Sequence, residues 1–282
     1  MRTSTPTMVL ASGLGLLLVL GGAVPASAQE TVVNGIHGDA ARGKKDYRRY
    51  CVGCHGPDGD GQGENAQWID PKPRDFTAAV FKCRSTPTGT LPTDDDLFNA
   101  MSRGFVTTNM PQWLPLPKQT RVDLVAYIKT FSPRWKAQGA GTPITIPPET
   151  PATIESILHG RELFQKMECW KCHGPAGHGD GPSASTLTDS KDNPIRPYNF
   201  AAGVTRFMCG ETNRDLYRIF MTGLDGSPMP SFVDNIKPEE AWDLVHFLRT
   251  LQPLDTPEAA VWKAWLPQHA SELTPIGPPV GQ

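Results

Sequence analysis

Cys51-Val-Gly-Cys54-His55 continues as Gly-Pro-Asp-Gly-Asp-Gly, and Cys169-Trp-Lys-Cys172-His173 continues as Gly-Pro-Ala-Gly-His-Gly, with 118 residues between the first cysteines of the two copies. A pentapeptide repeated with its glycine pattern at that distance marks two related domains, and the flanking sequence agrees. Gly43 and Tyr47 lie upstream of the first copy and Gly160 and Phe164 upstream of the second, each on a helical pattern running into the cysteines. Asp39 is placed to cap the first of these helices. Downstream, helical stretches are expected over Asp95 to Arg103 and Arg214 to Thr222, followed in each half by a Met-Pro pair, Met110-Pro111 and Met229-Pro230. A closing helix follows in both, its apolar face formed by Val122, Val125, Ile128, Leu124 and Phe131 in one half and Trp242, Val245, Leu248, Leu244 and Leu251 in the other.

The spacing Cys-x-x-Cys-His has a definite chemical use. Two thiols one helical turn apart reach the two vinyl groups on the edge of a porphyrin, and the following imidazole comes under the iron; this is the attachment pattern of c-type haem. Two covalent haems, on Cys51 and Cys54 and on Cys169 and Cys172, are therefore expected, with His55 and His173 as one axial iron ligand each. Zinc would ask for four closed Cys/His ligands per site, and a thioredoxin-like dithiol sits in a βαβ context that these glycine-rich stretches lack. The glycines fit a backbone turning close to a haem edge.

Histidine paired with methionine is the ligation of electron-carrying cytochromes c. Met101 and Met221 fall inside helical stretches, where methionine is a core filler. Met110 and Met229 lie in loops at matching positions, His55 to Met110 spanning 55 residues and His173 to Met229 spanning 56, which makes them the second axial candidates. Thr107-Thr108-Asn109 departs from the tighter Asp225-Gly226-Ser227-Pro228 of the second half. His37, His159, His246 and His269 read as solvated or hydrogen-bonded side chains, while His178 sits in the glycine-rich loop beside its own haem.

These features together resemble tandem class I cytochromes c, the soluble diheme electron carriers: Gly-x-x-x-aromatic before CxxCH, CHGxxGxGxG after it, a Met-Pro loop, and LVAYIKTF from Leu124 with LVHFLRTL from Leu244. The likeness runs roughly from Gly35 to Pro253. It implies an all-α chain of two tandem helical domains, each around one haem, with His55, Met110, His173 and Met229 on iron. Gly160 lies nine residues before Cys169 where Gly43 lies eight before Cys51, a departure expected to loosen the analogy in the second half.

The boundaries follow. Residues 1–28 read as a signal peptide, with Arg2 as the only charge, an apolar stretch from Val9 to Val24 and Ala26-Ser27-Ala28 before Gln29. The stretch is shorter than the roughly 20 apolar residues of a membrane span, so export to a periplasm with no membrane span after cleavage is the expectation. Residues 35–132 form the first domain, 133–153 a Pro-rich extended linker, 154–253 the second domain, and 254–282 a Pro-rich tail with a short helix from Thr256 to Trp265 that docks on its own protein. Cys83 and Cys209 also match, in Phe-Lys-Cys-Arg-Ser-Thr and Phe-Met-Cys-Gly-Glu-Thr. In an exporting compartment they could meet across a pseudo-twofold axis as a disulfide; two buried free thiols, or a cysteine on iron, are the other readings.

Composition excludes other functions. A formal net charge of −2 offers no basic field for nucleic acid. The expected partners are redox proteins, a donor and an acceptor such as an oxidoreductase, another cytochrome or a terminal oxidase, met through small, weak contacts. The protein is then an electron-transfer protein and not itself an enzyme, either a free carrier or the cytochrome subunit of an oxidoreductase. The alternative is a diheme enzyme of the peroxidase or thiosulfate dehydrogenase type, which needs one open or Cys-ligated haem.

Overall fold

The computed structural model describes Met1 and residues 30–106, 108–202 and 207–278. The leader read over 1–28 lies, Met1 apart, outside the described residues, as do Thr107 and the last four residues of the tail. The chain is mostly helical, as expected, with two helical domains in tandem and one small hairpin.

The first domain opens with that hairpin, β1 Val32–Val33 against β2 Ile36–His37, turned by Asn34 and Gly35 at φ +50° and +76°. Both residues tolerate the left-handed region, the requirement of a two-residue turn that matches strand twist. Helix α1 (Ala40–Tyr50) begins at Asp39, whose carboxylate accepts from the Arg42 amide at 2.9 Å, and passes through Cys51 into α2 (Val52–His55). Helix α3 (Asp94–Arg103) and the closing helix α4 (Lys118–Lys129) complete the domain. In the second half the same roles fall to α6 (Ile154–Lys166), α7 (Trp170–His173), α8 (Asn213–Thr222) and the closing helix α9 (Glu240–Thr250). Helices α3 and α8 each start one residue before the expected stretch, because Thr93 and Thr212 cap them reciprocally with Asp96 and Asp215.

In each domain the first and closing helices cross at a glycine. A Cβ on Gly43 would stand 2.0 Å from the Asp123 carbonyl oxygen, and one on Gly160 would stand 1.9 Å from that of Asp243. The equivalence holds despite the unequal spacing to the cysteines. Helix α1 runs straight to Tyr50, whereas α6 stops at Lys166 and the extra residue is taken up by Glu168 at φ +57°. The feature expected to loosen the second half is thus absorbed in one turn residue. Gly160→Ala is expected to push α6 from α9 and cost about 1–3 kcal/mol; a guanidinium unfolding midpoint equal to the unsubstituted protein's would contradict the crossing.

Around the crossings lie two separate cores. Val122, Leu124 and Val125 of α4 and Trp242, Leu244 and Val245 of α9 are buried, as their spacing predicted, each worth about 1.5–3 kcal/mol when withdrawn from water. Met101 and Met221 are core residues too.

The segment between the domains is not extended throughout. It begins with α5 (Arg134–Gln138), which buries Trp135 beside Phe81 before Gly139 ends the helix. The remainder is tied to both halves: the amides of Gly141 and Ile144 donate to the carbonyls of Leu91 and Ser85 at 2.9 and 2.8 Å, while the Ile144 and Ile146 side chains lie against the second core. In the tail, α10 (Pro257–His269) is longer than expected and packs on α9 and α6, with Trp262 and Ile276 against the same core.

Cys83 and Cys209 are joined as a disulfide, with S–S 2.01 Å and Cα–Cα 5.1 Å. Beside it the Arg84 side chain is fully buried; its guanidinium donates to the carbonyl oxygens of Thr222 at 2.6 Å, Phe81 and Pro87 and pairs with Asp225 at 2.9 Å. Thr88 and the Gly89 amide also donate to the Asp225 carboxylate, at 2.6 and 3.1 Å, and Lys191 pairs with Asp75 at 2.8 Å.

Candidate haem sites

In both halves the first helix delivers its cysteine at the point where the backbone turns. The His55 amide donates to the Cys51 carbonyl and the His173 amide to that of Cys169, both at 2.9 Å, so each CxxCH forms a single tight turn. Each imidazole is then fixed by its far nitrogen, with His55 Nδ1 at 2.9 Å from the Arg74 carbonyl oxygen and His173 Nδ1 at 3.0 Å from that of Tyr198. A carbonyl can only accept, so Nδ1 carries the proton and Nε2 keeps its lone pair. Burial holds both imidazoles below the usual histidine range, against the pull of those carbonyls, and keeps them neutral. Phe76 stacks on His55 with ring centroids 4.5 Å apart, and Phe200 lies tilted against His173 at 5.2 Å.

The two methionine loops share one construction despite their different sequences. The Phe105 amide donates to the Met110 carbonyl at 3.0 Å, and the Leu224 amide to the Met229 carbonyl at 3.1 Å. A hydroxyl two residues before each methionine accepts from the methionine amide, Thr108 at 3.1 Å and Ser227 at 3.4 Å. Thr108 therefore plays the part of Ser227, a correspondence the sequence difference conceals. Met229 and Cys169 border the same core, and Cys51 borders the first; Met110 is half-buried in its loop.

Comparison with known proteins agrees with this construction. Residues 157–252 match the family described as cytochrome c, and residues 38–128 match the family described as cytochrome c oxidase, cbb3-type, subunit III. Among solved structures, a chain of the reducing HAO-like protein complex of Kuenenia stuttgartiensis is 38% identical, with a TM-score of 0.73 over 76% of this chain and 97% of that one. The chain belongs to the tandem c-type cytochromes. No curated protein matches it in sequence.

The residues of the cytochrome fit the cofactor of the family. None of Cys51, Cys54, Cys169 and Cys172 is bonded to another cysteine, although only two residues separate the members of each pair. Burial pushes the Cys51 and Cys169 thiols up to about 12, an apolar setting that suits a thioether sulfur better than a thiolate. The glycines of the cytochrome's CHGxxG segments also serve the protein itself. Gly59 at φ +71° and Gly177 at φ +74° have no room for a Cβ, which would stand 2.6 Å from the Phe131 ring and 2.9 Å from the Leu251 side chain.

Several residues that shape the sites were not signalled by the motifs. Arg74 and Tyr198 act through their main chains, which leaves no compositional trace. Asp225, four residues before Met229, connects that loop of the cytochrome to Arg84 in the other domain. The remaining histidines have local partners: His37 meets Glu30 at 2.6 Å, His159 meets Asp243 at 2.8 Å, His269 Nδ1 lies 2.9 Å from the Trp265 carbonyl, and His178 faces Asp180 at 4.0 Å. His246 is completely buried.

Proposed function

We propose that the protein is an exported diheme cytochrome that passes single electrons between a redox donor and acceptor, as a free carrier or as the cytochrome subunit of an oxidoreductase. Haem c, when bound, supplies the one-electron ferric/ferrous couple. Cys51 and Cys54 would hold one haem and Cys169 and Cys172 the other, with His55 and Met110 on the first iron and His173 and Met229 on the second. The observation that carries this reading is the hydrogen-bond scheme that both methionine loops share, together with two imidazoles anchored through Nδ1. Such anchoring raises the basicity of the free nitrogen and fixes its direction. Loops built alike in both halves support two closed, six-coordinate sites.

With Cys83 and Cys209 bonded to each other, neither is a thiolate, which speaks against the Cys-ligated reading. The disulfide also supports export, since such bonds persist in oxidising compartments. An N-terminus at Gln29 in protein recovered from the periplasm would test that part, and a cytoplasmic full-length chain would refute it. The neighbour belongs to a reducing complex, which supports the subunit form of the proposal.

Ligation is tested by the sulfur-to-iron near-infrared band of the oxidised protein. Met110→Ala and Met229→Ala are each expected to remove about half of it, lower the potential of one haem and open that haem to carbon monoxide. An unchanged band in either variant would refute that methionine as a ligand.

A further inference from the structure

Glu149 of the linker, His246 of α9 and Glu258 in the first turn of α10 are far apart in sequence. Each nevertheless brings one ligand atom within 4.8 Å of the other two. His246 and Glu258 are 0% and 3% exposed, and Glu149 closes the group from the solvent side.

The hydrogen bonds orient the histidine. Ser156 Oγ lies 3.0 Å from the Thr153 carbonyl oxygen and 2.9 Å from His246 Nδ1, which holds the ring through that nitrogen. Nε2 on the other side of the ring faces the cluster. Nε2 is buried without a hydrogen-bond partner, with Glu149 Oε1 3.9 Å away, and the Thr150 backbone also lies against the ring. Glu258 Oε2 is likewise buried with no hydrogen bond, while the two carboxylates share a single amide, Asn213 Nδ2, which donates to both.

The Arg249 charge is attracted by Glu258 and Glu149, but its hydrogen bonds go elsewhere. Its guanidinium donates to Asn213 Oδ1 at 2.6 Å, to Gln252 Oε1 at 2.8 Å and to the Glu211 carbonyl. Two carboxylates and an imidazole nitrogen are thus gathered in a largely buried place, where Asn213 Nδ2 is a donor they share and Glu258 Oε2 and His246 Nε2 are left over. Buried charges of one sign are costly unless a cation answers them.

We propose that Glu149, His246 and Glu258 bind one divalent transition-metal ion of the zinc class, clamping the linker and the C-terminal helix onto the closing helix of the second domain. One imidazole and two carboxylates are a donor set of borderline character, and an imidazole whose other nitrogen is held by a hydrogen bond is the usual form of such a ligand. Metal–ligand distances of about 2.0–2.2 Å place tetrahedral donors about 3.4 Å apart. Glu149, the exposed member, swings inward to meet that requirement; the Thr150 carbonyl or a water completes the shell.

The test uses the full-length, haem-loaded protein, freed of loose metal by a chelator and titrated with Zn²⁺ by equilibrium dialysis with elemental analysis. One zinc per chain beyond the haem iron is expected, with a thermal midpoint that rises with zinc concentration. Glu149→Gln and Glu258→Gln should each weaken binding by at least about tenfold, since even outer-shell partners are worth that much. Glu149→Gln lies at the surface, so its folding is secure and its haem spectrum verifies it. Absence of zinc binding by the folded protein would overturn the proposal, and so would an affinity unchanged in both variants, because the metal would then sit elsewhere.

Discussion

Replacing Cys83 and Cys209 together by alanine is expected to lower the unfolding free energy by about 3–5 kcal/mol. The two cysteines are 126 residues apart, so the disulfide closes a loop that takes in the linker, α6 and the second CxxCH turn. In the chain-entropy account the loss grows with the logarithm of that length, which puts this bridge near the top of the usual range. The double substitution avoids leaving one reactive thiol, and alanine avoids placing a hydroxyl where Cys209 is fully buried. Guanidinium unfolding followed by circular dichroism measures the change. The unsubstituted protein under strong reductant should shift the same way, and coincident midpoints for all three samples would contradict the expectation.

Arg84→Met carries the second large effect, about 3–5 kcal/mol, because it takes a fully buried guanidinium from a half-buried carboxylate and from the carbonyl of the buried Thr222. The guanidinium is wholly enclosed, and it answers the Thr222 carbonyl and the Asp225 carboxylate from the opposite domain. Burial holds this arginine below its usual range, with Asp225 and Asp96 opposing that loss. Among the described residues, removing it leaves Asp225 with Thr88 and the Gly89 amide as donors from the first domain. Since Asp225 stands in the Met229 loop, the damage should also be visible as a weakened sulfur-to-iron band in the second half, with the first half unaffected. Arg84→Met combined with Asp225→Leu should recover most of the stability, because an apolar pair of similar volume replaces a buried ion pair at little cost. Equal destabilisation by the single and double variants would show that Arg84 acts by packing alone.

How much of this was legible in the sequence depends on whether a residue acts through its side chain within one repeat. Cys51, Cys54, His55 and their second-half counterparts stand at fixed spacings that follow from reaching a porphyrin, and the closing helices show their buried faces through apolar periodicity. The hairpin was missed by an all-α reading, although Asn34-Gly35 between Val33 and Ile36 is a turn signal, because such short strands carry little periodicity of their own. Arg84 was hidden by the repeat itself, for its counterpart is Gly210 and a comparison of halves reads it as a surface variation. The hold of Arg74 and Tyr198 on the imidazoles belongs to main-chain carbonyls that every residue possesses. The start of the linker misled because prolines at 133 and 143 flank a stretch long enough for one helical turn, which the burial of Trp135 makes worthwhile. Glu149, His246 and Glu258 come from three segments whose meeting depends on how the tail folds back.

The linker fastened through Ser85 and Leu91, the disulfide and the Arg84 anchor all join the same short stretch of the first domain to the second. Interfaces between domains ordinarily permit relative motion; here three independent attachments oppose it. With a haem in each half, as proposed, the separation of the two metals would then be a constant of the molecule. Electron exchange between them should be a first-order process whose rate is independent of protein concentration and of solvent viscosity, so that only the encounter with outside partners is governed by diffusion.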